Sequence, residues 1–118
     1  KVGTVGYCLG GSLAYATSFF TDSDASVGYY PVQIDDYLGQ VPNIKKPLML
    51  HIAEKDGFCP PQSQQKIRDA LATNRLCTAH TYAGVDHAFA RVGGANYNEA
   101  AAKQANDRTS AFFKNHLA

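Results

Sequence analysis

The sequence has no cysteine or histidine pair at metal-ligand spacing. Cys8, Cys59 and Cys77, with His51, His80, His87 and His116, form neither a C-x-x-C nor an H-x-x-x-H pattern, so no structural metal is expected. An odd, widely spaced set of cysteines argues against a disulfide framework and for a reducing, cytoplasmic compartment. Charge of one sign is missing too. The net charge is +1, with Lys and Arg scattered, so no basic surface is offered to nucleic acid. The longest apolar runs, such as PLMLHIA, fall far short of the ~18 residues of a membrane helix. No signal peptide is visible within these residues, and no repeat, linker or low-complexity tract stands out. Residue 1 is Lys, and the chain enters a strand-like segment with no leader or cap. The expectation is a piece of a longer polypeptide. Its 118 residues, 45% hydrophobic and 18% charged, suffice for one globular domain and are too few for two.

What the chain does have is alternation. VGTVGY reads as a strand, and GGSLAYATSFF follows with apolar residues at helical spacing. ASVGYYPV is a second strand candidate. QIDDYLGQVPNIKK is a loop or short helix, interrupted by Gly39 and Pro42. PLMLHIA, the most hydrophobic segment, predicts a central strand. PPQSQQKIRDALATN predicts a helix entered through its prolines, CTAHTY a fourth strand, and YNEAAAKQANDRTSAFFKNHLA a long terminal helix. This order predicts an α/β fold of about four parallel strands flanked by helices. In such sheets reactive groups gather beyond the carboxyl ends of the strands.

The first strand ends at Cys8, within Gly6-x-Cys8-x-Gly10. The pattern matches the strand-turn-helix bend that presents a nucleophile in α/β-hydrolases, with sulfur in place of serine oxygen. Glycine is expected on both sides because larger side chains would collide at a strained bend. The helix start beneath the sulfur is expected to lower the thiol's pKa, and the N–H of Leu9 to support an oxyanion. Alone, Cys8 has packing at a Gly-rich turn as its second, less favoured reading. Asp56 follows the third strand, where the plain reading is a turn residue ahead of Gly57. His87 follows the fourth, where the plain reading is a surface residue. Together they give nucleophile, acid and base in the chain order of α/β-hydrolases, and that agreement favours catalysis. Asp86, beside His87, is a rival acid, disfavoured because sequence neighbours rarely face each other. His51, His80 and Cys77 read as core, and Cys59 as an inert loop residue or a second thiol.

VGYCLGG, VGYY, DGFCP and DHAFAR together resemble the dienelactone hydrolase (carboxymethylenebutenolidase) family, over essentially the whole chain. The resemblance implies a hydrolase that opens the enol-lactone ring of 4-carboxymethylenebut-2-en-4-olide to maleylacetate, without a cofactor. It makes Cys8 the nucleophile, Asp56 the acid and His87 the base. It makes Arg91 the ligand of a substrate carboxylate, a role suited to a guanidinium fork. Phe58, Tyr29 and Tyr30 fall on pocket-wall positions. Ala88 stands where relatives commonly have Ser, while Cys59 and Pro31 replace residues that are usually aliphatic or glycine, departures that bear on substrate preference. The resemblance begins at the nucleophile strand. Residues 1–118 are therefore expected to be a partial α/β-hydrolase domain, the C-terminal half. A missing N-terminal segment would supply the first strands, a second oxyanion N–H, a glutamate for the resting thiol and another arginine. The expected partner is a small anionic lactone or ester, with no nucleic acid and no membrane. Rival readings are a general carboxylesterase or thioesterase of the same fold, and an inactive truncated module. A cysteine glutaminase would need an acid two residues after the base, where Phe89 stands.

Overall fold

Every strand expected from the sequence forms, and all four pair in parallel. A computed structural model describes all 118 residues. The strands β1 (Gly3–Tyr7), β2 (Ala25–Tyr29), β3 (Leu48–Ala53) and β4 (Cys77–Tyr82) lie side by side in chain order. Helix α1 (Leu9–Phe20), a 3-10 segment (Ile34–Asn43) and helix α2 (Pro61–Leu71) fill the crossovers, and α3 (Glu99–Leu117) closes the chain. No helix is long and apolar enough to cross a membrane.

The strand period of two sorts the side chains onto two cores. Leu48, Leu50 and Ile52 of β3 pack with Tyr15, Ile67 and Leu71 from the helices of one face. Val27, Tyr29, Met49 and Ala53 pack with Ala105 and Phe112 of α3 on the other. All residues of β2 and β3 are buried. β1 pairs on one side only, and Val5 and Tyr7 stay about half exposed, which leaves an apolar edge open to association. Close contact of α1 with β2 depends on Gly11, where a Cβ would stand 2.5 Å from the Tyr29 carbonyl oxygen.

Local chemistry sets the element ends. Pro61 opens α2, where a missing N–H costs nothing. Asn98 caps α3 by accepting the Ala101 N–H at 3.0 Å. The 3-10 segment is kinked at Tyr37 and contains Pro42, so it cannot continue as α-helix. β2 stops at Tyr29 because Tyr30 turns to φ 37°.

Beneath α3 a chain of hydrogen-bonded polar groups runs from the buried His51, Tyr82 and Tyr29 out to the helix surface. Arg108 donates to the Tyr82 hydroxyl (3.1 Å), which faces His51 Nδ1 (2.8 Å). His51 Nε2 faces Thr109 Oγ1 (2.9 Å), which meets the Tyr29 hydroxyl (2.7 Å), and that hydroxyl donates to Asn106 (2.7 Å). Since Arg108 can only donate, running the protons in one direction satisfies every member and makes His51 a neutral Nε2–H tautomer. Burial, then the neighbouring His80 and Arg108, push its pKa down to about 3. The unfolded chain therefore takes up the proton first as pH falls below 6.5, and stability is lost from there downward. By pH 4 this one group should cost roughly 3 kcal/mol. Urea titrations at stepped pH are expected to show that loss, and His51→Gln should flatten that part of the slope.

Candidate active site

The bend after β1 is built by one glycine rather than two. Cys8 sits at φ 58° and ψ −122° as the N-cap of α1. A Cβ on Gly6 would overlap the backbone carbonyl of Gly10, whereas one on Gly10 would meet nothing within 4 Å. The expectation that both positions require glycine is thus corrected. Gly10 supplies the carbonyl that crowds Gly6, and its own Cα faces open space. Cys8 donates its N–H to the Tyr29 carbonyl at 3.1 Å, and its carbonyl accepts from Gly11 and Ser12. The Leu9 N–H bonds to no group of the chain.

Cys8, His87 and Asp56 come together although 79 and 31 positions separate His87 from its two partners. His87 Nε2 stands 3.1 Å from Cys8 Sγ, and His87 Nδ1 stands 2.7 Å from Asp56 Oδ2. The buried Asp56 carboxylate accepts Nδ1–H, so Nε2 carries the free lone pair that faces the thiol. The second oxygen of Asp56 accepts the Phe58 N–H at 2.8 Å. Asp86, the rival acid, points instead at the backbone and accepts the His87 N–H at 2.6 Å.

Two loops carry Asp56 and His87, and hydrogen bonds join them. Lys55 N–H donates to the Val85 carbonyl (2.9 Å), and Gly84 N–H donates to the Glu54 carboxylate (2.8 Å). Gln64 holds the Asp56 loop from beneath. Its buried amide nitrogen reaches the carbonyls of Ala53, Glu54 and Cys59 at 3.2, 2.9 and 2.8 Å. Sequence reasoning missed this residue. The available signal was a glutamine on the buried stripe of α2, three positions before Ile67.

Tyr30 and Phe58 flank the imidazole, with ring centroids 5.0 and 4.9 Å from it. Tyr30 is buried and Phe58 stands exposed at the rim. Tyr29 does not reach the cleft, which corrects its placement on the pocket wall. As the last residue of β2 it turns inward, stacks on Tyr7 at 4.5 Å, and binds Asn106 and Thr109 of α3 through its hydroxyl. Arg91 is exposed, close enough for its charge to act on Cys8. The cleft, about 330 Å³, is lined by Leu9, Val32, Gln33, Phe58 and His87. All four non-glycine residues with positive φ (Cys8, Tyr30, Gln33 and Ala88) lie in or beside it, a concentration of backbone strain typical of functional sites.

The electrostatics reverse one expectation. Burial raises the Cys8 pKa and the Asp56 charge adds to it, with Arg91 pulling the other way. The net direction is upward, opposite to the lowering expected from the start of α1. Burial pushes Cys59 and Cys77 up to about 11, with nearby carboxylates adding to the effect at Cys59, which keeps both inert. No cluster of three or more His, Cys, Asp or Glu side chains has metal-ligand geometry.

A sequence model of the dienelactone hydrolase family matches residues 1–117. A protein of Azospirillum brasilense is 51% identical over 109 residues, which make up 92% of this chain and 47% of that protein. A carboxymethylenebutenolidase of Pseudomonas putida is 41% identical over 108 residues, with coverage of 92% and 46%. The chain thus spans about half the length of the curated relatives it matches. A Klebsiella pneumoniae crystal structure superposes at a TM-score of 0.87 with 24% identity, covering 95% of this chain and 51% of that one. A dienelactone hydrolase-like promiscuous phosphotriesterase from metagenomic libraries superposes at 0.84 with 14% identity, covering 98% and 52%. At these identities the superpositions establish the fold, a parallel sheet flanked by helices that matches part of a larger one.

Proposed function

The chain belongs to the dienelactone hydrolase family, and from that membership we propose that Cys8, His87 and Asp56 are the triad of a carboxylic ester hydrolase opening enol-lactone rings, as in dienelactone to maleylacetate. The observation that carries the proposal is the imidazole bridging Sγ at 3.1 Å and the Asp56 carboxylate at 2.7 Å. Residues 1–118 act as the nucleophile-bearing part of one domain, completed by a further segment of comparable length.

His87 Nε2 takes the Cys8 proton as sulfur bonds to the lactone carbonyl carbon. The Leu9 N–H stabilises the resulting oxyanion, with a second donor from the completing segment. Collapse breaks the ring C–O bond, and the enolate takes the proton from the imidazolium while staying tethered to the acyl group. His87 then deprotonates water, which attacks the thioester. The C–S bond breaks and the proton returns to sulfur. Asp56 holds the tautomer throughout. Arg91 pairs with the substrate carboxylate, and Phe58 covers the flat ring.

The test compares kcat/KM for dienelactone and for p-nitrophenyl acetate, using the chain alone and with the completing segment added. With one oxyanion donor absent, the chain alone should be slower by ~10²–10³-fold. Preference for the anionic lactone supports the proposal. Equal turnover of both substrates assigns a general esterase, and rapid turnover by the isolated chain removes the need for a second segment.

A further inference from the structure

We propose that Gln64 is a positioning residue for the reaction, whose side-chain amide fixes the Asp56 carboxylate against His87 by stapling both ends of the Asp56 loop. The inference rests on the triad reading given above. Gln64 Nε2 donates to the carbonyls of Ala53 and Glu54, where the loop leaves β3. It also donates to the carbonyl of Cys59, just before α2 begins. Asp56 lies between these two anchor points.

The other bonds of the loop shape its turn without placing it. The Asp56 N–H donates to the Ala53 carbonyl at 3.2 Å, and the Cys59 N–H donates to the Asp56 carbonyl at 3.1 Å. Apart from the contact of Asp56 with His87, the bond from Gln64 to Cys59 is the one hydrogen bond that ties residues 56–59 to a helix or to another loop. Glutamine suits the position because its amide nitrogen faces acceptors alone. Two N–H groups serve three carbonyls, so one proton is shared. Gln64 is only 3% exposed, and the three acceptors belong to this chain. The arrangement is therefore complete within residues 1–118. Without a donor here, the carbonyls lose a buried partner, and the loop must tilt or admit water. The loop backbone aims both oxygens of Asp56, holding Oδ1 through the Phe58 N–H while Oδ2 faces Nδ1. A tilt moves the carboxylate off the imidazole at the step where Nε2 takes the Cys8 proton and positive charge forms. The loss therefore falls on turnover and spares substrate binding.

Gln64→Met, of similar shape but without a donor, tests this in the chain with its completing segment added. For dienelactone, kcat should fall by ~10–10²-fold with KM nearly unchanged, the scale of a small misplacement of a catalytic group. The far-downfield proton NMR signal of the His87 Nδ1–H shared with Asp56 should move upfield or broaden away. Ile67→Val lies on the same buried stripe of α2 and loses packing alone. It should keep both the wild-type kcat and that signal. If Gln64→Met does not fold, Gln64→Glu replaces it. Burial keeps the new carboxyl protonated, so one donor survives, and both readouts should move the same way by less. If either readout keeps its wild-type value, or Ile67→Val moves both as far, the inference is overturned. A Cys8→Ala variant that keeps its activity removes the triad reading instead. The Nδ1–H signal is read without turnover, which keeps the two failures apart.

Discussion

Cys8→Ala is expected to lower kcat for dienelactone by ~10⁴–10⁶-fold in the active preparation, the range seen when a triad nucleophile is removed. His87→Ala should lower it about as much, and the double variant should be no worse than either single one. That non-additivity follows from the geometry. Within residues 1–118, Sγ has no other base within hydrogen-bonding distance, and Nε2 faces no other group to deprotonate. Asp56→Asn is expected to lower kcat by ~10⁴-fold, because an amide at this position favours the wrong tautomer. Asp86→Asn should be nearly silent, since its carboxylate serves a backbone N–H and does not touch the ring. Circular dichroism of each variant separates lost chemistry from lost fold. If Asp86→Asn proves as damaging as Asp56→Asn, or Cys8→Ala retains more than a few per cent of activity, the triad is wrongly drawn.

The sequence shows the strands because each is short and bounded by a turn or a helix start. It points to Cys8, Asp56 and His87 as candidates because chain order places each one just past a strand end. What it hides depends on distance in space. Tyr29 and Tyr30 are adjacent, and nothing in the pair indicates which ring β2 turns under α3 and which one the positive φ of Tyr30 swings toward His87. The direction of the Cys8 shift depends on burial and on a carboxylate 48 positions away in the chain. The alternation of strands and helices leaves no sign of either. Gln64 works through three carbonyls, which every residue type carries, so no motif announces it.

Gly6→Ala is expected to destabilise the fold by at least about 3 kcal/mol, above the usual range for an overpacked site. The added methyl would occupy the space of the Gly10 carbonyl, and the near neighbours are backbone atoms with no rotamer to change. Relief requires β1 and α1 to separate. Separation is opposed by the Gly11 contact with Tyr29 and by the Cys8 N–H bond to the same carbonyl. A small domain has a margin of only ~5–15 kcal/mol, so the melting temperature should fall by on the order of 10 °C. Gly10→Ala makes the matched control. Its new Cβ meets nothing, and alanine in the first turn of α1 should be neutral or stabilising by up to about 1 kcal/mol. Urea denaturation of the two variants side by side distinguishes a bend that needs one bare position from a motif that needs two. Equal losses would mean that Gly10 is crowded by something other than this chain's own atoms, and that the open space beside the nucleophile is filled in the working protein.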